Sequence, residues 1–113
     1  MCVFCDIIEG KIPSTKVYEN DKVLCIRDIN PVAPTHVLVL PKKHFDDIID
    51  VSKAEDGAEY LDAVSKAVAE VAKIDGLDKG FRVINNCGEE GGQTVMHLHF
   101  HVIGGVQLTE KII

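Results

Sequence analysis

The sequence predicts an α+β domain: a five-stranded antiparallel sheet with one short and one long helix packed on one face. Three observations carry this. Five short runs are dense in β-branched and aliphatic residues, the composition that suits a pleated surface. One long stretch repeats its apolar residues with the 3.6-residue period of a helix. The order of elements, three strands, a long helix and two more strands, fits an antiparallel sheet with helices laid against it.

The elements follow in order. Residues 3 to 9, "VFCDIIE", read as a short helix with Phe4, Ile7 and Ile8 on one face and Gly10 as its stop. "TKVYE" and "KVLCIRDI" read as strands separated by the turn "END", and "THVLVLPK" as a third that begins after the loop of Pro31 and Pro34. These three make a meander. Residues 52 to 75 hold the long helix: Ser52 and Glu55 have capping-box spacing, Leu61, Val64, Val68 and Val71 keep the helical period, and Gly76 ends it. Gly57 weakens its first turns and leaves a later start open. "GFRVINN" and "VMHLHFHVI" supply the last two strands, joined by a loop containing Gly88, Gly91 and Gly92.

At 113 residues and 46% hydrophobic composition the chain fits one domain, residues 1 to 113, because a core of this size can fold alone. The net charge of -6 argues against a nucleic acid polymer as partner, since that affinity comes from Lys and Arg neutralising phosphates. A single small anion in a pocket is still compatible. No apolar run approaches the roughly 18 to 20 residues needed to span a bilayer, and "MCVFCDIIEG" has no basic leader or cleavage site, so a cytoplasmic protein with no membrane partner is expected. Cytosolic thiols stay reduced, so the four cysteines are expected free, with Cys25 a small buried apolar side chain.

The segment "HLHFHV", residues 97 to 102, carries the chemistry. On a strand His97, His99 and His101 project to one side at about 6.6 Å spacing, and Met96, Leu98, Phe100 and Val102 turn to the core. A decorated strand face is one reading, and a tris-imidazole metal site as in zinc hydrolases is another. The preceding loop, "NNCGEEGGQTV", shifts the balance, because its glycines let backbone amides approach an anion closely. Phosphate therefore fits better than a bare metal. A neutral imidazole is itself a nucleophile near pH 7 when its other nitrogen donates to a fixed acceptor.

"HLHFHVI" resembles the signature of the histidine triad superfamily, and the likeness runs over roughly residues 2 to 108, through "RDINPVAPTHVLVLPKKH" and "NNCGEEGGQTVMHLHFHVIGG". The chain looks most like the Hint branch: homodimeric nucleotide-binding proteins that hydrolyse nucleoside phosphoramidates and related nucleotidyl conjugates. The resemblance implies a HIT-like fold whose dimer joins two sheets into one of ten strands. It implies His99 as the nucleophile on the α-phosphorus and His101 on the phosphate, where transferase branches carry glutamine. By the same likeness Thr94 offers a hydroxyl to the leaving group, and His36 stands behind the triad to orient it. The likeness matches Asn86 to a phosphate- or ribose-side polar residue and Asp28 to the carboxylate that accepts from the ribose hydroxyls. Gln93 and amides around Gly92 are candidates for stabilising charge on the phosphorus oxygens, because an acidic chain needs N–H groups there. Phe4, Ile7, Ile26 and Ile29 would line a purine pocket. Without the family, Asp28 reads as a turn carboxylate, Thr94 as a strand-start residue and the four apolar residues as core.

"CVFC" is a Cys-x-x-Cys pair beginning at residue 2, too early for the strand that precedes a thioredoxin-like motif. As metal ligands two thiolates need two further donors, and His44 and His97 are the best candidates. Bacterial triad proteins that this chain resembles hold zinc with that set, which implies a closed structural Zn2+ site of Cys2, Cys5, His44 and His97 and no catalytic cofactor. Two other readings stay open: a nucleotide-binding or regulatory protein with vestigial activity, and a metal-dependent hydrolase. The C-terminal "VQLTEKII" departs from the longer aromatic tail that lies near the substrate in the eukaryotic Hint proteins.

Overall fold

The structure, a computed structural model, describes residues 2 to 113. Its elements are α1 (Val3–Ile8), β1 (Lys16–Glu19), β2 (Val23–Arg27), β3 (Thr35–Pro41), α2 (Ile48–Lys53), α3 (Gly57–Ile74), β4 (Phe81–Ile84) and β5 (Phe100–Gly104). Asn20 turns β1 into β2, its Oδ1 accepting from the amides of Lys22 (2.9 Å) and Val23 (3.0 Å). The five strands pair antiparallel in the order β1-β2-β3-β5-β4, as the expected fold class requires.

Central β3 is buried along its whole length, so its two alternating faces both need apolar cover. Val37 and Val39, with Val23, Cys25 and Val102, pack against Val64, Ala67 and Val71 of α3. Leu38 and Leu40, with Leu24 and Ile26, pack on the opposite face against Phe4 of α1. The helices therefore do not share one face, contrary to the expectation, because the apolar runs of β2 and β3 are continuous and not alternating. Cys25 sits in the α3-side core, where burial pushes its thiol up to about 12. All four cysteines are free. Among the described residues no helix is long and apolar enough to cross a membrane.

The predicted helix over residues 52 to 75 is two helices. Asp47, not Ser52, caps the first, accepting from the Asp50 amide at 2.8 Å, while the Ser52 hydroxyl donates to the Ile49 carbonyl at 2.6 Å. The second starts at Gly57. A Cβ there would stand 2.0 Å from the Val51 carbonyl oxygen, so a glycine lets α2 and α3 meet.

The last strand is also shorter than predicted, pairing only from Phe100 onward. The reason lies across the ladder. Pro41 ends β3 with no amide to give, its carbonyl accepts from the His97 ring at 2.8 Å, and the Leu98 amide donates instead to Phe45 at 2.7 Å. Side-chain alternation outlasts the ladder: Leu98, Phe100 and Val102 reach the apolar clusters. Met96, expected in the core, is 47% exposed.

Asp75 locks the end of α3 to the sheet. Its carboxylate takes both guanidinium nitrogens of Arg27 and the Thr35 hydroxyl (2.7 Å). A carboxylate at a helix C-terminus is disfavoured by the macrodipole, and the Arg27 hydrogen bonds offset this, holding the Asp75 carboxyl below its ordinary 3.8. The stabilisation is present above that value and is lost as pH falls through the lowered folded one. Asp75→Asn is expected to cost about 1 kcal/mol at neutral pH, a modest figure because solvent reaches Arg27. Urea melts from neutral pH to about pH 2 check it: the gap between wild type and variant should close with acid, and a gap independent of pH refutes the assignment.

Candidate nucleotide site and metal centre

Each histidine ring can be assigned a tautomer from its hydrogen-bond partners, since a carbonyl only accepts and an amide only donates. His97 donates from Nε2 to the Pro41 carbonyl (2.8 Å), leaving Nδ1 as an acceptor. His99 donates from Nδ1 to the main-chain carbonyl of His97 (2.7 Å), leaving a lone pair on Nε2. His36 accepts the Val32 amide on Nδ1 (3.1 Å), so its proton sits on Nε2. That Nε2 stands 2.9 Å from His101 Nδ1 and 3.4 Å from Asp28 Oδ2. His101 Nδ1 therefore accepts, and His101 carries its proton on Nε2.

The two neighbouring rings of His99 and His101, with centroids 5.2 Å apart, thus hold opposite tautomers. One keeps a lone pair on Nε2 and the other a proton. Burial, then the proximity of His99 and His36, pushes the His101 pKa below its ordinary value, so the ring is neutral near pH 7. The Phe4 ring meets His99 edge-on at 5.0 Å, and Asn85 Nδ2 donates to the His99 carbonyl at 2.9 Å.

The glycine loop is folded on itself. Gly88 and Gly92 have φ of 74° and 80°, which favours glycine. The amides of Gly91, Gly92 and Gln93 donate to Gly88, Glu89 and Gly88 carbonyls within the loop. Gln93 is 7% exposed; its Oε1 takes the Gly88 amide (2.9 Å), and its Nε2 donates to Asp46 (2.7 Å) and Val95 (3.0 Å) carbonyls. Both amide hydrogens of Gln93 are spent, so it braces the loop and has none left for phosphate. Thr94 is exposed and Asn86 half-buried, and among the described residues neither side chain has a hydrogen-bond partner.

Asp28 makes the turn that the bare sequence suggests, Oδ1 accepting the Asn30 amide at 2.7 Å. Phe4, Ile7 and Ile26 share one apolar cluster. Ile29 is 92% exposed, so it is no core residue. A cavity of about 580 Å³ lies elsewhere, between the α3–β4 turn and the C-terminal tail, and none of the imidazoles lines it.

The cysteines and remaining histidines converge. Cys2 Sγ is 3.6 Å from His44 Nδ1 and 3.3 Å from His97 Nδ1, and Cys5 Sγ is 3.3 Å and 3.5 Å from the same atoms. A tetrahedral zinc bound at about 2.3 Å to sulfur and about 2.0 Å to nitrogen separates the two donors by about 3.5 Å. The four residues fit that ion. Each imidazole is also held through its far nitrogen, His44 by Asp46 (2.8 Å) and His97 by the Pro41 carbonyl, the outer contacts that aim metal-binding histidines. Asp28, His36 and His101 cluster as well, but the His36 proton already fills the gap between the rings.

Residue-type reading missed Asn85, Asp46 and the backbone groups of Val32 and Pro41. The doubled Asn85–Asn86 at a strand end was a usable signal; the backbone partners had none.

An α+β domain whose sheet carries alternating histidines directly after a glycine-rich loop in the sequence has the marks of a histidine-triad domain. The HIT domain family matches residues 9–108, and the chain belongs to that family. It is 47% identical over 107 residues to a 14 kDa zinc-binding protein of Zea mays, covering 94% of this chain and 83% of that protein. It is 44% identical over 109 residues to the adenylylsulfatase HINT1 of Arabidopsis thaliana, covering 94% of this chain and 72% of that one. The solved structure of a HIT family hydrolase from Clostridium thermocellum superposes with a TM-score of 0.93 at 47% identity, covering 99% of this chain and 96% of that one.

Proposed function

We propose that the chain, acting as a single domain over residues 1 to 113, is a nucleotide-binding hydrolase. It cleaves purine nucleoside phosphoramidates or related nucleotidyl conjugates to the nucleoside monophosphate through a nucleotidyl-His99 intermediate. One observation carries this: the His99 Nδ1–H bond to the His97 carbonyl, which leaves Nε2 with its lone pair. That nitrogen attacks the α-phosphorus, and the bond from phosphorus to the leaving group breaks. The positive charge on the His99 ring is held at Nδ1 by the same carbonyl. His101 Nε2–H and the free Asn86 amide steady the phosphorus oxygens, and the Thr94 hydroxyl attends the departing group. Water then displaces the nitrogen, releasing the monophosphate and neutral His99.

Asp28 Oδ2 takes the ribose hydroxyls, and Phe4, Ile7 and Ile26 with the exposed Ile29 enclose the purine. The name of the adenylylsulfatase relative supports a nucleotidyl conjugate as substrate. Zn2+ at Cys2, Cys5, His44 and His97 is structural, since four protein donors leave it no open position. The relative named as zinc-binding supports the metal. The β4 edge, with Phe81 and Val83 39% and 45% exposed, is suited to pairing with a second copy, giving a homodimer with a ten-stranded sheet. Free thiols support a cytoplasmic setting, and the acidic charge supports a small anion, not a nucleic acid polymer, as ligand.

The test is turnover of adenosine 5'-phosphoramidate to AMP before and after chelation, with folding verified by circular dichroism. Turnover that survives metal removal is expected. An inactive protein that still binds AMP would make it a nucleotide sensor. Activity that leaves with the metal while the fold persists would make the metal the catalyst.

A further inference from the structure

The Cys-x-x-Cys pair lacks the setting of a thioredoxin-like catalyst, yet its sulfurs are placed for another redox reaction. We propose that Cys2 and Cys5 form a peroxide-reactive pair whose disulfide discharges the metal. The proposal rests on the metal reading above. Both thiols are partly exposed, and both sulfurs stand within 3.6 Å of the same two ring nitrogens. The sulfurs therefore lie within 4.8 Å of one another, a separation that side-chain rotation on a Cys-x-x-Cys turn closes. The other two cysteines lack this. Cys25 is wholly buried, and among the described residues Cys87 belongs to no such cluster.

The Cys5 amide donates to Cys2 Sγ at 3.1 Å, so the two residues already meet at the sulfur that the first step uses. The Cys2 thiolate attacks one peroxide oxygen, the O–O bond breaks, and with a proton from solvent water leaves, giving a sulfenic acid on Cys2. The Cys5 sulfur then attacks the Cys2 sulfur, the S–O bond breaks, and a second water leaves. Two electrons pass from the pair to the peroxide. A sulfur held in the disulfide no longer offers a thiolate, so disulfide and metal exclude each other, and two imidazoles alone do not retain the ion. Discharge frees α1 from His44 and His97. Phe4, which the same helix lays against the His97 and His99 rings, then keeps only its apolar seat.

The experiment titrates zinc-loaded full-length protein with hydrogen peroxide, reading released zinc with a chromogenic chelator and intact mass in parallel. Zinc release in step with a loss of about 2 Da per chain, mapped by digestion to Cys2–Cys5 and reversed by a dithiol plus zinc, is expected. Cys5→Ser should stop at a Cys2 sulfenic acid that a 1,3-dione traps, without the mass loss. Zinc leaving with no disulfide, oxidation to sulfinic acids, or a disulfide through Cys87 would overturn the proposal. Failure to take up zinc at the outset would overturn the metal reading and the coupling with it. These readouts are independent of hydrolysis, so loss of the hydrolase reading leaves them interpretable.

Discussion

His99→Ala is expected to lower kcat on adenosine 5'-phosphoramidate by at least about 10³-fold while leaving AMP binding within a few-fold of wild type. The size of the effect follows from the tautomers. The His101 Nδ1 lone pair is occupied by the His36 proton, and its Nε2 carries hydrogen. Both nitrogens of His36 are engaged, one by the Val32 amide and one by His101. His97 gives Nε2 to Pro41 and turns Nδ1 to the thiols. No other imidazole of the triad therefore has a lone pair free to attack phosphorus. Steady-state kinetics with calorimetric AMP binding decide it: retention of more than about a tenth of wild-type kcat excludes His99 as the covalent nucleophile.

Gly57→Ala is expected to lower stability by at least about 2 kcal/mol, the cost of overpacking against backbone. Alanine is the better helix former by roughly 1 kcal/mol, so propensity alone predicts the opposite sign. Geometry wins because the obstructing atom is a main-chain oxygen only 2.0 Å from the new Cβ. Relief requires α2 to move, and with it Val51, which packs with Phe45 and Leu98 beneath the segment carrying His97 and His99. The readout is the calorimetric midpoint, expected to fall by about 8 °C or more. A midpoint equal to or above wild type would show that the junction relaxes freely.

Gly57 also shows why part of the fold was hidden. Ser52 and Glu55 have capping-box spacing, and the apolar period runs on, so the sequence pattern describes one helix. Gly57 left a later start open, and α3 does begin there, but the Val51 carbonyl that demands a glycine at that point carries no mark in the sequence. The strands were legible because their apolar runs are dense, and α1 because Phe4, Ile7 and Ile8 share one helical face. The end of β5 was not, since His97 to Phe100 keep perfect alternation and the ladder stops for want of a Pro41 amide.

The site divides the same way. Cys2, Cys5, His44 and His97 could be named as donor types, but their meeting across up to 95 residues of chain is a property of the folded sheet. Gln93 looked like an anion contact because a polar side chain stood beside glycines. Its partner, the Asp46 carbonyl, lies 47 residues away in sequence and carries no mark in the pattern.

The ladder's beginning at Phe100 has a mechanical consequence. His101 is clamped on both sides, opposite Leu38 of β3 and Ile84 of β4, whereas His99 precedes the paired strand and is tethered by Asn85 and by its own ring. The two reacting halves of the site are thus held by different means, His101 by ladder pairing on both sides and His99 by side-chain and ring hydrogen bonds. In the proposed reaction a bond must form at His99 and break again, so the attacking nitrogen has to travel toward phosphorus and back. Because the ladder does not hold His99, replacing Asn85 would loosen the attacking ring without disturbing the pairing that fixes His101.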